Sequence, residues 1–324
     1  MTDIFLEDRP RNKQGCLRLV LVALAIMLVG WLVIKGCTGK EKPDGEASAP
    51  IEGVLAPETD PAGTPAASGG GSTKSGTPAA LPDPSGPDRS GPLLADAKRF
   101  YEQRDLENAR KKGFAALDMA TSEEGQQQVE AFLGNLNVEM LFSPVPMEEK
   151  VDYTIKSGDI IGKLALTYKT TSELITKGNN IRDARRIRVG DNLRIFNGTF
   201  KILVDKSDNT LLVTLNDRFF KRYRVGTGEF NKTPVGSFKV KDRIVEPDWW
   251  QPNGQKISYG DPEHLIGTRW LGLNIRGYGI HGIRADYADT IGKQMSAGCI
   301  RMLNAEVEEI HIYTPTETEV VIQD

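Results

Sequence analysis

The feature that most constrains the fold is an alternation of apolar and polar residues that begins near residue 199. Apolar side chains recur at roughly every second position in three successive stretches, Phe200–Val204, Leu211–Leu215 and Phe220–Val225. Such alternation buries one face of a pleated strand, and the Asn and Asp residues between the stretches favour tight turns. Residues 199–323 therefore predict a mainly β domain, a sandwich or barrel, with one helix near Asn304–Ile310.

The other end of the chain carries a continuous apolar run, residues 17–34, whose single charged residue is Arg18. At about 1.5 Å per residue, this run is near the lower limit for crossing a hydrocarbon core of about 30 Å. The sequence predicts a single-pass membrane anchor after a cytoplasmic tail, residues 1–16, with the C-terminal body exported. A cleaved signal peptide and lipidation at Cys37 remain open alternatives.

Residues 35–92 are rich in Pro, Gly, Ala, Ser and Thr and contain few large apolar side chains. Such a segment buries too little surface to offset its ordering entropy, so we expect a disordered linker. It serves either as a domain spacer or as a tether that lets the body reach a polymer layer away from the membrane.

Charge and cysteine content limit the classes of function. The formal net charge of −3 provides no basic excess to neutralise phosphates, so no nucleic-acid partner is expected. Cys16 and Cys37 bracket the apolar run, and Cys299 is the one cysteine downstream of it. A single cysteine cannot build an intradomain disulfide framework. Its thiol is therefore either buried and inert, or reactive.

Residues 93–145 predict a small helical module, because apolar residues recur at helical spacing in three groups. Asp105, and Thr121 followed by Glu124, are candidate helix N-caps. The stretch 97–117 resembles one tetratricopeptide-type helix pair with a third helix behind it. One copy of the motif leaves two interpretations open, a helical spacer and a module that docks a protein partner.

Residues 150–197 follow a strand, helix, helix, strand pattern with turns at residues 157–159 and 189–191. This βααβ pattern resembles the LysM module, which binds N-acetylglucosamine-containing glycans such as peptidoglycan or chitin. The resemblance implies a glycan site in two loops, at Gly158, Asp159, Ile160 and Asn180. A domain used only for spacing is the alternative.

The candidate chemistry lies in two short stretches, Tyr278–Gly282 and Ser296–Met302. A thiol attacks only as its thiolate, and an imidazole can take the thiol proton and later protonate a departing amine. Cys299 is therefore the candidate nucleophile and His281 its partner. Gly298 removes a side chain before the nucleophile, so the backbone amides of this loop are candidate donors to an oxyanion.

These two stretches resemble the signature of the L,D-transpeptidase (YkuD-type) catalytic family, His-Gly, a spacer, then Ser-x-Gly-Cys-[Ile/Val]-Arg-Met. The spacer from His281 to Cys299 is 18 positions. The similarity covers residues 199–323 and includes four upstream motifs, Tyr223–Gly228, Thr233–Phe238, Pro247-x-Trp249 and Gly267–Leu273. The expected protein is multidomain: an L,D-transpeptidase domain preceded by a LysM module and a helical module.

The resemblance also implies a role for each matching residue. Cys299 is the nucleophile, His281 the general base, and Ser296 a residue that orders the loop by hydrogen bonding. Gly298 and Cys299 supply oxyanion amides, and Arg301 orients the loop or a substrate carboxylate. No cofactor is implied.

The implied reaction is a two-step acyl transfer in cell-wall biogenesis. The thiol attacks the carbonyl of the third residue of a peptidoglycan stem peptide and releases D-alanine. The thioester then passes to the side-chain amine of a second stem, which gives a 3→3 cross-link. Water or a protein amine as acceptor gives an L,D-carboxypeptidase or a lipoprotein ligase instead. A non-catalytic wall-binding scaffold is the alternative of another class.

Four further positions bear on the expected site. Ala297 stands where many members carry His or Arg, a position that makes a secondary substrate contact. Ile283 stands where many carry Ser or Thr, which forms an accessory hydrogen bond near the imidazole. His264 is a candidate lid residue, and His311 is a surface or packing residue. No short Cys/His ligand pair is present, so no metal is expected.

Overall fold

The computed structural model describes residues 87–251 and 253–324, and these lie within one compact unit. The predicted cytoplasmic tail, membrane anchor and Cys37, with nearly all of the linker, lie outside the described residues. None of the helices within the described residues has the length and hydropathy of a membrane-spanning segment.

Three helices form the first module: α1 (Ser90–Glu102), α2 (Leu106–Asp118) and α3 (Glu123–Leu141). The predicted cap at Asp105 is confirmed, because its side chain accepts the amide of Asn108. The cap of α3 is Ser122, whose hydroxyl accepts the amide of Gly125. The prediction of Thr121 was therefore wrong by one residue.

Helix α1 begins three residues before the predicted boundary at residue 93. The carboxylate of Asp88 accepts the amide of Ser90 at 2.8 Å and its hydroxyl at 2.5 Å. The same carboxylate accepts the amide of Ser122 at 3.1 Å. One side chain thus ties the start of α1 to the start of α3.

The predicted βααβ pattern is confirmed. It consists of β1 (Lys150–Thr154), α4 (Ile161–Thr167), α5 (Ser172–Gly178) and β2 (Asn192–Phe196). The two strands pair antiparallel, with Lys150 opposite Phe196. Between the helices and the strands lies a small core of its own, made of Ile155, Ile161, Leu164, Ala165, Ile175, Leu193 and Ile195.

The C-terminal domain is mainly β, as predicted. Its strands are β3 (Phe200–Asp205), β4 (Thr210–Leu215), β5 (Arg218–Arg224), β6 (Thr227–Gly228), β7 (Gly236–Val245), β8 (Trp249–Trp250), β9 (Lys256–Ile257), β10 (Ile266–Leu273), β11 (Gly279–Ile283), β12 (Gln294–Ser296), β13 (Ile300–Arg301) and β14 (Glu319–Gln323). Eight of them form one sheet in the order β13-β11-β10-β7-β14-β3-β4-β5. The alternation predicted antiparallel strands, and the sheet adds two parallel pairs, β14 with β3 and β11 with β13.

The predicted C-terminal helix is present as α6 (Asn304–Tyr313), three residues longer than expected. Its buried Tyr313 packs against Phe200 and Phe220 at ring-centroid distances of 4.8 and 5.4 Å. His311 lies within this helix and is 2% exposed, so it is a packing residue and not a surface residue.

The helical module covers the edge of the large sheet. Asn137 of α3 is fully buried and donates its amide to the carbonyl of Phe220 on the edge strand β5 at 2.9 Å. Glu130 of α3 pairs with Arg222 of the same strand at 2.7 Å. An uncovered edge strand presents unpaired backbone groups to other chains. The module therefore acts, at least, as a cover for β5, whichever further role it has.

Candidate active site

His281 lies in the middle of β11, between β10 and β13. Its ring is 7% exposed and stacks on Trp270 at 5.7 Å between ring centroids. The Nδ1 atom lies 2.5 Å from the carbonyl oxygen of Gly282. A carbonyl oxygen can only accept, so Nδ1 carries the proton in the neutral ring and Nε2 keeps its lone pair.

The parallel pairing of β13 with β11, in which Arg301 lies opposite His281, brings Cys299 to the cavity that His281 lines. The half-buried thiol and the imidazole line the same cavity of about 510 Å³. The thiol donates to the carbonyl of Gly277 at 3.5 Å. Within the part of the chain that the structure describes, no hydrogen bond joins the thiol to the ring of His281.

Hydrogen bonds hold the loop before Cys299 on both sides. The hydroxyl of Ser296 donates to the carbonyl of Cys299 at 2.6 Å and accepts the amide of Gly298 at 3.0 Å. Thr233 donates its hydroxyl to the carbonyl of Gly298 at 2.8 Å. The Gly298 amide, expected as an oxyanion donor, is thus engaged by Ser296 in this state. The Cys299 amide has no acceptor among the described residues.

Only glycine fits at position 298. Its φ of +135° lies in a region that side chains disfavour. A Cβ atom there would lie 2.8 Å from the Cε1 atom of Tyr278. Close backbone packing therefore fixes the approach of this loop to the cavity.

The thiol and the imidazole are both neutral in this state. Burial, together with the smaller effect of the nearby Arg301 charge, lowers the pKa of His281 to about 4. Burial raises the pKa of the Cys299 thiol, against smaller opposing effects of a backbone hydrogen bond at Gly279 and of the Arg301 charge. The resting site therefore holds no thiolate–imidazolium ion pair, and a thiolate at Cys299 would have to form by transfer of its proton.

Arg301 places a half-buried guanidinium on the cavity wall. Burial lowers its pKa, and among the described residues it has no carboxylate partner within ion-pair distance. Its side chain contacts the carbonyl of Met295 at 3.4 Å. The cavity thus contains one positive charge that is available to a bound anion.

Comparison with known proteins identifies the family. The family model of the L,D-transpeptidase catalytic domain matches residues 199–322, and the LysM domain model matches residues 153–196. Bacillus subtilis YqjB, named as a candidate L,D-transpeptidase, is 36% identical over 129 residues, which cover 38% of this chain and 70% of YqjB. Bacillus licheniformis YkuD, named likewise, is 30% identical over 178 residues, 52% of this chain and 97% of YkuD. This chain belongs to the L,D-transpeptidase family.

Among solved structures, L,D-transpeptidase 3 from Mycobacterium tuberculosis aligns at 17% identity with a TM-score of 0.34. The alignment covers 42% of this chain and 66% of that one.

In this member of the family, aromatic side chains that sequence reasoning did not assign to the site line the cavity. They are Trp249, Trp250, Trp270, Tyr278 and Tyr287. Three of the five lie in stretches that the sequence analysis had singled out: Trp249 in Pro247-x-Trp249, Trp270 in Gly267–Leu273 and Tyr278 in Tyr278–Gly282. Their position in those stretches was the signal that could have identified them as site residues.

His264 contacts the start of the segment that carries Trp249 and Trp250. Its buried ring bonds through Nε2 to the carbonyl of Pro247 at 2.8 Å and packs edge-on against Tyr259 at 5.6 Å. It lies on the segment expected for a lid, yet it does not line the cavity. His264 therefore holds this segment and does not face a substrate.

The two departures from the family pattern both lie on the cavity wall. Ala297 is exposed at its rim, and Ile283 is 4% exposed inside it. Across the described ranges 87–251 and 253–324, no group of three or more His, Cys, Asp or Glu side chains is placed to hold a metal ion.

The candidate glycan residues lie in the LysM module, away from the cavity. Gly158 and Asp159 form the turn before α4, and Ile160 is 54% exposed at its start. Asn180 follows α5 with a φ of +55°. The Asp159 carboxylate accepts the Lys156 amide at 2.7 Å and the Tyr153 hydroxyl at 2.8 Å, so it shapes the turn.

Proposed function

We propose that this chain is a peptidoglycan L,D-transpeptidase that forms 3→3 cross-links through a Cys299 thioester. Family membership supports the reaction class. The observation that carries the assignment of residues is that Cys299 and His281 line one cavity, in which the Cys299 amide has no acceptor among the described residues.

In the first step, the Cys299 thiol gives its proton to Nε2 of His281, and the sulfur attacks the carbonyl of the third stem residue. The carbonyl of Gly282 accepts from Nδ1 at 2.5 Å and so stabilises the imidazolium that forms. The developing oxyanion accepts from the Cys299 amide. The C–N bond then breaks, and D-alanine leaves with the proton from His281.

In the second step, the side-chain amine of another stem gives a proton to His281 and attacks the thioester. The new amide forms, and the sulfur leaves as thiolate and regains the proton. Because the resting pair is neutral, each step moves one proton across the same thiol–imidazole pair and leaves no net charge behind.

Arg301 is the candidate receptor for a substrate carboxylate. Its half-buried guanidinium lacks a carboxylate partner among the described side chains. Stem peptides carry carboxylates, and a guanidinium binds them with two parallel hydrogen bonds. The LysM module would hold the glycan to which such stems are attached. Both activities place this body outside the cytoplasmic membrane, as the sequence predicts.

The decisive experiment is intact-mass analysis of the complete chain after incubation with a carbapenem. We expect one adduct, retained in the matched control Cys37→Ala and lost in Cys299→Ala. A parent chain without an adduct would favour the non-catalytic scaffold.

The acceptor is tested separately with a purified tetrapeptide stem. Mass spectrometry of the products separates a cross-linked dimer from a trimmed monomer. A dimer is expected, and trimmed monomer alone would favour the carboxypeptidase. Cross-linking by Cys299→Ala would contradict the thioester mechanism.

A further inference from the structure

A second cavity, larger than the one at Cys299, lies elsewhere on the described surface. It is a cleft of about 1080 Å³ between the LysM module and the catalytic sheet. The end of α4 and the turn after it, residues 165–170, form one wall. The opposite wall is formed by the start of β7, residues 237–239, with residues 315–319 beside it. We refer to it as the seam cleft.

Direct contacts between the two modules hold the walls in place. Thr171 donates its hydroxyl to the carbonyl of Ile312 at the end of α6. Glu173 of α5 pairs with Arg243 of β7 at 2.8 Å. Leu174 is 2% exposed and belongs to the same hydrophobic core as the large sheet. A cleft with fixed walls loses little entropy when it binds a ligand.

The lining has the chemistry of a site for a neutral, hydroxyl-rich ligand. Two half-buried aromatic rings, Tyr168 and Phe238, and one strongly exposed apolar side chain, Leu166 at 80%, lie among amide and hydroxyl groups. Of the three lysines in the lining, two are paired with carboxylates: Asp217 lies 2.7 Å from Lys201, and Glu317 lies 3.0 Å from Lys239. The third, Lys169, is exposed to solvent, so the lysines do not converge on one anion site.

The seam cleft lies at the far end of α4 from the first of the predicted glycan loops. Helix α4 begins after Ile160, in the first of those loops, and ends at the cleft beside Leu166. Seven helical residues span roughly 10 Å at 1.5 Å per residue. A saccharide chain that lies on the LysM loops therefore needs only a short extension along α4 to enter the cleft.

We propose that the seam cleft is a second saccharide-binding site, which holds the continuation of the glycan strand bound by the LysM loops. This inference rests on the proposed peptidoglycan substrate. The strand would then contact the LysM module and the catalytic domain at once. Its stem peptides would be presented at a fixed distance from Cys299.

Isothermal titration calorimetry of the complete chain, in a Cys299→Ala background, tests the proposal with N-acetylglucosamine oligomers of three and six residues. We expect the hexasaccharide to bind about tenfold more tightly than the trisaccharide, equivalent to roughly 1.4 kcal/mol. The variants Leu166→Gln and Ser237→Arg alter opposite walls at exposed positions. Each should remove most of this advantage and leave trisaccharide binding unchanged.

Met119→Gln, at a 48% exposed apolar residue of the helical module outside the cleft, is the matched control and should behave as the parent. A full hexasaccharide advantage in Ser237→Arg would overturn the proposal, because the LysM surface alone would then explain the binding. Binding of a free stem peptide that Ser237→Arg abolishes would overturn it as well. The carbapenem adduct and cross-linking report separately on the proposed function.

Discussion

Replacing Gly298 by alanine tests whether the backbone of the nucleophile loop is fixed by close packing. The new Cβ atom would lie 2.8 Å from the Tyr278 ring and 3.3 Å from the carbonyl oxygen of Lys232. The loop cannot move away freely, since Ser296 and Thr233 bond the amide and the carbonyl of residue 298. The structure must therefore either strain or shift the nucleophile.

The expected size of the effect follows from two contributions. A side chain at a φ of +135° costs about 1–3 kcal/mol, and overpacking against Tyr278 costs about as much again. We expect Gly298→Ala to lower the free energy of unfolding by roughly 2–6 kcal/mol. A shift of the nucleophile by about 1 Å should lower kcat/KM about 100-fold. Urea unfolding and turnover of a soluble tetrapeptide stem measure the two effects.

Gly190→Ala is the matched control. Gly190 has a φ of +93° in the LysM module, and an added Cβ there meets no atom within 4 Å. The free energy of unfolding of Gly190→Ala should fall only by the backbone contribution, about 1–3 kcal/mol. The variant should keep full activity on the soluble stem. Parental kcat/KM in Gly298→Ala would refute the reasoning, as would equal losses of stability in the two variants.

Three further predictions concern pH and packing. Because His281 must be neutral to accept the thiol proton, kcat/KM should fall on the acid side only near pH 4, and an acid limb near pH 6.5 would contradict the lowered pKa. Burial lowers the pKa of His311 to about 4, so the unfolded chain binds more protons between about pH 6.5 and 4. The contribution of neutral His311 to the free energy of unfolding is complete above about pH 6.5 and is lost as the pH falls to about 4. The variant His311→Gln should therefore show a flatter pH dependence of the urea midpoint over this interval. Asn137→Ala leaves the Phe220 carbonyl and the Arg110 Nε atom without their partner, so it should lower the free energy of unfolding, measured in urea, by about 2–4 kcal/mol. Gln128→Ala, on the exposed face of the same helix, should change this free energy by no more than about 0.5 kcal/mol. Equal midpoints for these two variants would show that α3 does not secure β5.

The local sequence pattern was sufficient to predict secondary structure and helix caps, because these depend mainly on residues that are close in sequence. Alternation located β3, β4 and β5, and helical spacing located α1 to α6 within a few residues. The cap at Asp105 could be predicted because its acceptor and its donor lie three residues apart. The error at Thr121 has the same origin, since two adjacent hydroxyl residues offer equivalent local signals and the backbone angles select Ser122.

The sequence by itself determined the modules, their order and the identity of the candidate nucleophile and base. Only the tertiary structure decided that β13 pairs parallel to β11, which brings Cys299 to the cavity of His281. It also decided that the Ser296 hydroxyl takes the Gly298 amide and that α3 covers β5. The physical reason is that strand pairing, burial and hydrogen bonding between distant segments depend on the whole packed core, whereas periodicity and capping depend on a few consecutive residues.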